Sequence, residues 1–247
     1  MGLGAQYKLG FYYSQLNIDQ QFDYKKAAQA IAHYDNEVCV KTDDAGKLHQ
    51  MLMAVKYDNP EFCYWSLDGS EAEAGVLKLC YLTEDENEAV ELIQMLRDKR
   101  KSILGDLCEG LDTMTQKAAL KVLFDYLADN ITYAEDELQK PTCSPWIYDI
   151  SGILLEEKGV CLGIAMAMNY FCQALRIPSI LITGEAKVMG WTGNHGWNMV
   201  RLDNEYYHLD ATSALGLDKT ERDRYYLVKD KDMADRSWPK ALYPKAV

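Results

Sequence analysis

Cys161 lies in Gly159-Val160-Cys161-Leu162-Gly163, at the head of a run, 162–175, that is apolar nearly all round and rich in small residues. A helix with no polar face is buried inside a domain, and Gly163, Ala165 and Ala167 let neighbours approach it closely. Arg176-Ile177-Pro178 stops it. At the start of such a helix the unpaired amides and the positive dipole end stabilise a thiolate, and the same amides can hold an oxyanion. A cysteine taken alone is more often an inert, buried side chain. The residues C-terminal to this one shift the balance towards chemistry.

A strand is predicted over 179–188, then a Gly/Thr-rich loop, then two alternating runs, 194–202 and 205–212. Asp203-Asn204 between them reads as a hairpin turn. If these are the two loop residues, Leu202 faces Glu205, Trp197 faces Asp210 and His195 faces Thr212. His195 and Asp210 then share a face as diagonal neighbours, roughly 7 Å or less apart at Cβ, and a one-residue slip would separate them. Asp210 can therefore orient His195, and His195 can activate Cys161, a Cys, His, Asp set for nucleophilic acyl transfer. His208 shares the face with Asp210 and stays open as an alternative base. A zinc site made from His195, His208 and Asp210 would leave Cys161 and its helix unexplained. The chain carries neither a GxSxG elbow nor a GxxxxGK[ST] loop, which removes the commonest serine hydrolase and NTPase readings.

The elements that must hold these residues are legible in the rest of the chain. A helix is predicted over 19–33 with Asp19 as its cap, and a shorter one over 45–55, ended by Asp58-Asn59-Pro60. Strands at 61–67 and 76–82 form a hairpin, and Thr83 caps a long helix to about residue 102 whose acidic start and basic end suit the dipole. Gly105 to Gly110 reads as a seam. A helix over 113–129, the segment 130–133 and a polar loop over 135–145 lead to the cysteine. We therefore expect an N-terminal α+β extension, 1–105, and a catalytic domain, 106–247.

Composition limits the function classes. The 247 residues are 48% hydrophobic and 26% charged, a globular balance, and the net charge of −12 disfavours a nucleic-acid backbone as partner. No apolar run suggests a transmembrane segment, and residues 1–10 lack the charged and apolar regions of a secretory signal. Seven cysteines with no CxxC pair fit neither a zinc ribbon nor a complete disulfide framework. A required free thiol leans to a reducing, cytoplasmic setting; a secreted or cell-envelope setting applies if an upstream signal was removed. The acidic charge favours a basic peptide over an acidic one.

Gly-Val-Cys161-Leu-Gly-Ile-Ala, the Ile177-Pro178 stop, His195-Gly-Trp-Asn198 and Tyr207-His-Leu-Asp210-Ala-Thr212 resemble the transglutaminase-like superfamily. Asp58-Asn59-Pro60-Glu61-Phe62, Asp129-Asn130-Ile131-Thr132-Tyr133, Tyr225–Asp230 through Met233, and Trp238 resemble bacterial members. The resemblance implies an α+β fold with a papain-like core, an antiparallel sheet packed on the buried helix, and Cys161 as nucleophile, His195 as base and Asp210 as orienting acid. It further implies a thiol-dependent acyl transfer on protein or peptide amides, without cofactor or metal. Hydrolysis of the cysteine-peptidase kind is favoured over glutamine-lysine crosslinking, and a non-catalytic scaffold is the rival reading. Gly196 stands where members often have alanine, and Ser213 where many carry tryptophan, which leaves the substrate wall there open. Trp146, Tyr148 and Trp197 are the candidates for substrate contact or oxyanion donation.

Overall fold

The computed structural model describes residues 3–107, 114–188 and 191–247. The predicted seam reaches into residues 108–110, the helix start expected at 113 and Cys108 lie outside the described residues, and so do positions 189 and 190 of the predicted loop. The chain divides into two compact units, Met1–Arg97 and Asp98–Val247.

In the first unit, helices α1 (Phe11–Ser14), α2 (Ile18–His33) and α3 (Ala45–Asp58) accompany a sheet of β1 (Glu37–Cys39), β3 (Val76–Tyr81) and β2 (Trp65–Glu73), in that order. The cap of α2 is Asn17 rather than Asp19. Asn17 accepts the Gln20 N–H and Gln20 returns a bond to the Asn17 N–H, a reciprocal box that Asp19 cannot make from inside the first turn. Residues 62–64 form a 3₁₀ turn, so the strand predicted from 61 starts at Trp65. Asp58 accepts the N–H groups of Tyr12 and Tyr13 at 3.1 and 2.8 Å, which fastens α1 to the end of α3. Helix α4 (Glu86–Leu107) outruns its expected end, and its first turn is capped by Asp85, which accepts from the N–H groups of Asn87 and Glu88. Thr83, the expected cap, instead meets the Tyr34 hydroxyl.

The second unit holds α5 (Gln116–Asn130), β4 (Thr132–Tyr133), α6 (Glu135–Leu138), α7 (Ile150–Leu155), β5 (Lys158–Gly159), α8 (Cys161–Ala174), β6 (Ser179–Val188), β7 (Trp191–Leu202), β8 (Glu205–Leu209), α9 (Lys219–Arg222) and β9 (Arg236–Ser237). Strands β8-β7-β6-β9 make an antiparallel sheet, and β4 pairs with β5 in parallel. The fold is α+β. Helix α8 is buried without a break from Gly163 to Cys172, as an apolar helix without a wet face must be. The Asn198 side-chain amide, itself buried, donates to the Ala165 carbonyl at 2.9 Å and to Asn169 Oδ1 at 3.0 Å, which ties α8 to β7. Among the described residues no helix is long and apolar enough to cross a membrane.

The start of α8 is wedged against backbone. A Cβ at Gly163 would stand 2.7 Å from the Ile147 carbonyl oxygen and 3.2 Å from that of Asp149. A Cβ at Gly196 would meet nothing closer than Leu162 Cα at 3.5 Å, which is ordinary contact. Gly163→Ala is therefore expected to lower unfolding stability by about 1–3 kcal/mol through overpacking, while Gly196→Ala is neutral. Urea denaturation of the two variants checks this; equal midpoints would contradict the wedge.

Candidate active site

The hairpin places two of the three residues. Asp203 and Asn204 both adopt left-handed backbone, φ 50° and 66°, the geometry of a two-residue turn that matches strand twist. It fixes the register Leu202 with Glu205 through Asn198 with Leu209, as the alternation predicts. Beyond Leu209 the second run leaves the ladder, earlier than the predicted 212, because the Asp210 N–H donates to the Tyr225 carbonyl instead. The carboxylate still swings back to β7, and His195 Nε2 lies 2.8 Å from Asp210 Oδ2.

The third residue arrives by the parallel pair. Tyr133 is opposite Gly159, and the Val160 N–H donates to the Ile147 carbonyl at 2.9 Å, which aims the chain into α8 with Cys161 as its first residue. Val160 caps the helix without a side-chain acceptor, so the first-turn amides must find their partners elsewhere. Cys161 hydrogen-bonds to His195 and accepts the Gly196 N–H. With Nε2 held by Asp210, the nitrogen left for Cys161 is Nδ1.

These contacts set the charges. Burial alone would raise the Cys161 pKa, but the hydrogen bond and charge of His195, with the Gly196 amide, bring it below the ordinary thiol value. Burial would lower that of His195, yet Asp210 and Cys161 push it up to about 9. Burial would likewise raise the Asp210 carboxyl; His195 and Arg236 hold it well below the usual carboxylate range. Cys172, deeper in α8, shows the opposite outcome, since burial drives its thiol up to about 12.

His208 shares the face, as predicted, but both of its ring nitrogens are taken by other partners. Trp197 stands between it and the pair, stacked on His195 with ring centres 5.8 Å apart, and donates its indole N–H to His208 Nδ1 at 3.0 Å. His208 Nε2 is taken by Asp230 at 2.8 Å, and the ring is fully buried. The same bond corrects the expectation for Trp197: its only donor is spent on His208 and its ring is sealed, so it supports the imidazole and cannot serve an oxyanion. The Trp146 ring packs at Gly152, where a Cβ would come within 2.6 Å of it; among the described residues no hydrogen bond joins it to Cys161, His195 or Asp210. Tyr148 is exposed, its hydroxyl 3.8 Å from Cys143 Sγ and near enough to Cys161 to feel its charge.

Three residues at the site escape sequence reasoning. Tyr133 reads in the sequence only as part of a helix end, but its hydroxyl hydrogen-bonds to the Cys161 side chain and accepts the Cys161 N–H. Ser213, expected at a substrate wall, turns to Asp210, donating its N–H to Oδ1 at 3.0 Å and its hydroxyl to Oδ2 at 2.9 Å. Arg236 reaches the same carboxylate from β9, Nη2 to Oδ2 at 2.7 Å, with the guanidinium only 1% exposed. The parallel pairing of Tyr133 with Gly159 could have been sought in the two short segments; nothing in the spacing marks Arg236. Among the described residues no group of three or more His, Cys, Asp or Glu is disposed to hold a metal ion.

Residues 102–211 match the family model of the Transglutaminase-like superfamily. No curated protein matches the chain. Solved structures with a similar arrangement are a TGase (13% identity, TM-score 0.42, 74% of this chain and 52% of that one), a suspected cysteine protease of Cytophaga hutchinsonii (18%, 0.38, 60% and 50%) and the periplasmic domain of TgpA from Pseudomonas aeruginosa (14%, 0.37, 62% and 68%). The chain spans about half the length of the first two.

The electrostatics set a pH dependence. Because the Cys161 pKa is lowered, its alkylation by iodoacetamide should rise through an inflection below that of an ordinary thiol. In His195→Ala the hydrogen bond and charge of His195 are lost while burial and the Gly196 amide remain, so the inflection should move upward and the rate at pH 7 fall at least about 10-fold. Mapping of labelled sites by mass spectrometry against pH checks both; a Cys161 rate that His195→Ala leaves unchanged contradicts the ion pair.

Proposed function

Residues 102–211 match the Transglutaminase-like superfamily, and from that premise we propose that the protein is a thiol acyltransferase acting on protein or peptide amides, with water as the acceptor. The observation that carries this reading is the 2.8 Å contact of His195 with Asp210 beside a Cys161 of lowered pKa at a helix start.

The Cys161 thiolate attacks the amide carbonyl, and a C–S bond forms as the carbonyl π electrons move to oxygen. That oxyanion takes the Cys161 N–H at the head of α8 over from the Tyr133 oxygen, and the Tyr133 hydroxyl donates its own proton to it. The C–N bond then breaks, and the amine leaves with the proton that His195 Nδ1 held. His195, now neutral and still anchored through Nε2, takes a proton from water as it attacks the thioester; the C–S bond breaks and the thiolate–imidazolium pair is restored. No step calls for a metal or cofactor. A lysine amine in place of water would give crosslinking; among the described residues no amine-binding feature singles it out, whereas water needs no site. The acidic chain, net −12, favours basic peptides.

The test is a glutamine-containing peptide library incubated with the protein and a fluorescent primary amine. Cleavage or deamidation without incorporation of the amine is expected, and Cys161→Ser should be inactive. Stoichiometric amine incorporation would reassign the reaction to transamidation, and activity retained by Cys161→Ser would end the reading. On any substrate so found, Tyr133→Phe should lower kcat roughly 10–100-fold with KM little changed, as loss of one oxyanion donor does. A kcat equal to wild type would remove Tyr133 from the mechanism.

A further inference from the structure

We infer that Arg236 is a positioning residue that sets the charge of the reactive pair, its cation balancing Asp210 so that the site can hold a thiolate and an imidazolium together. The inference rests on the catalytic reading of Cys161 and His195 given above.

The geometry separates orientation from charge. Orientation of Asp210 is already secured without Arg236, because Ser213 donates its N–H to Oδ1 at 3.0 Å and its hydroxyl to Oδ2 at 2.9 Å. Arg236 adds Nη2 at 2.7 Å and Nε at 3.3 Å to the same Oδ2 that His195 uses, and Nη2 also donates to Ser213 Oγ at 2.5 Å. Both side chains of the ion pair are 1% exposed, so water does little to screen them. What the guanidinium contributes beyond Ser213 is a fixed positive charge that it cannot lose. Along Cys161, His195, Asp210 and Arg236 the signs alternate and cancel. Without the last, the site carries a net negative charge whose Asp210 end is out of water, a costly state that protonation relieves.

The chain brings this arginine in from outside the hairpin: Arg236 pairs with Ala186 across β9 and β6. The other titratable neighbours are Tyr133 and Tyr148 beside Cys161, both with pKa raised, first by burial. Asp235 is 2.8 Å from Arg236 Nη1, Tyr225 lies under the guanidinium, and His208 sits behind Trp197. Of these, Asp235 and Tyr225 lose their contact with the guanidinium when Arg236 alone is changed, while the contacts of Tyr133, Tyr148 and His208 given above do not involve it.

Charge and shape predict opposite signatures. Loss of a nearby cation makes every neighbouring group hold its proton more tightly, so the Cys161 and His195 pKa values should rise together. Loss of orientation alone would free His195 from Asp210, dropping its pKa while that of Cys161 rises. The full chain is compared as wild type, Arg236→Gln (which keeps donors for Asp210), Arg236→Met and Arg236→Lys, with folding checked by circular dichroism. Cys161 is titrated by iodoacetamide alkylation and His195 by NMR of carbon-13-labelled imidazole. Whichever neutral variant folds should show both values raised in parallel by about 0.5–1 unit, and Arg236→Lys should leave both near wild type. Unmoved values in the neutral variants, opposite shifts, or a lysine variant that behaves like a neutral one would overturn the inference. A wild-type Cys161 with no lowered inflection would instead overturn the catalytic reading beneath it, and the two failures are thereby distinguishable.

Discussion

The hydrogen bond between His195 Nε2 and Asp210 Oδ2, 2.8 Å long with the two side chains 10% and 1% exposed, decides what every neighbouring group can do. It occupies one imidazole nitrogen and so leaves the other for Cys161. It also places a carboxylate where water cannot satisfy it, which obliges the surrounding chain to supply donors. Ser213 and Arg236 are those donors. Much of the second unit can be understood as the apparatus that makes this one contact repeatable.

That apparatus is built from constraints that each act over a short range. The two left-handed residues of the Asp203-Asn204 turn fix the register; the register puts His195 and Asp210 on one face. The buried Asn198 amide bonds β7 to α8, and Gly163 lets α8 close on the Ile147 carbonyl. Cys161 is thus located by backbone packing on one side and by a side-chain bond from the histidine's own strand on the other. Trp197 completes the mount. Its ring stacks on His195 and its N–H occupies His208 Nδ1, which turns the second histidine of the same face away from Cys161.

The parts of this arrangement that can be read from the sequence are those governed by local periodicity. The apolar run after Cys161, the alternation either side of Asp203-Asn204 and the proline stop at Pro178 each encode an element, and the structure has them at α8, β7, β8 and the start of β6. Caps are less legible, because Asn17 and Asp85 compete with Asp19 and Thr83 within one turn of each other, and only the bonding pattern chooses between them. The same limit applies to the strand after Asp203-Asn204, which ends at Leu209 when the Asp210 N–H finds the Tyr225 carbonyl. Tyr133 and Arg236 are invisible for a different reason. They reach the site through pairings between β4 and β5 and between β9 and β6, each involving a two-residue strand too short to leave a pattern. Ser213 registers in the sequence as the absence of a tryptophan, whereas its hydroxyl has a partner of its own.

On this account Cys161 and His195 rest as a thiolate and an imidazolium, each raising the other's preference for charge. The direct measurement is the NMR titration of His195 before and after Cys161 is capped as a methyl disulfide, which removes the thiolate and leaves the fold in place. If the account is right, the imidazole titrates near 9 with the free thiol and clearly lower once the thiol is capped. An imidazole that titrates at its ordinary value of about 6.5 in both states would contradict it.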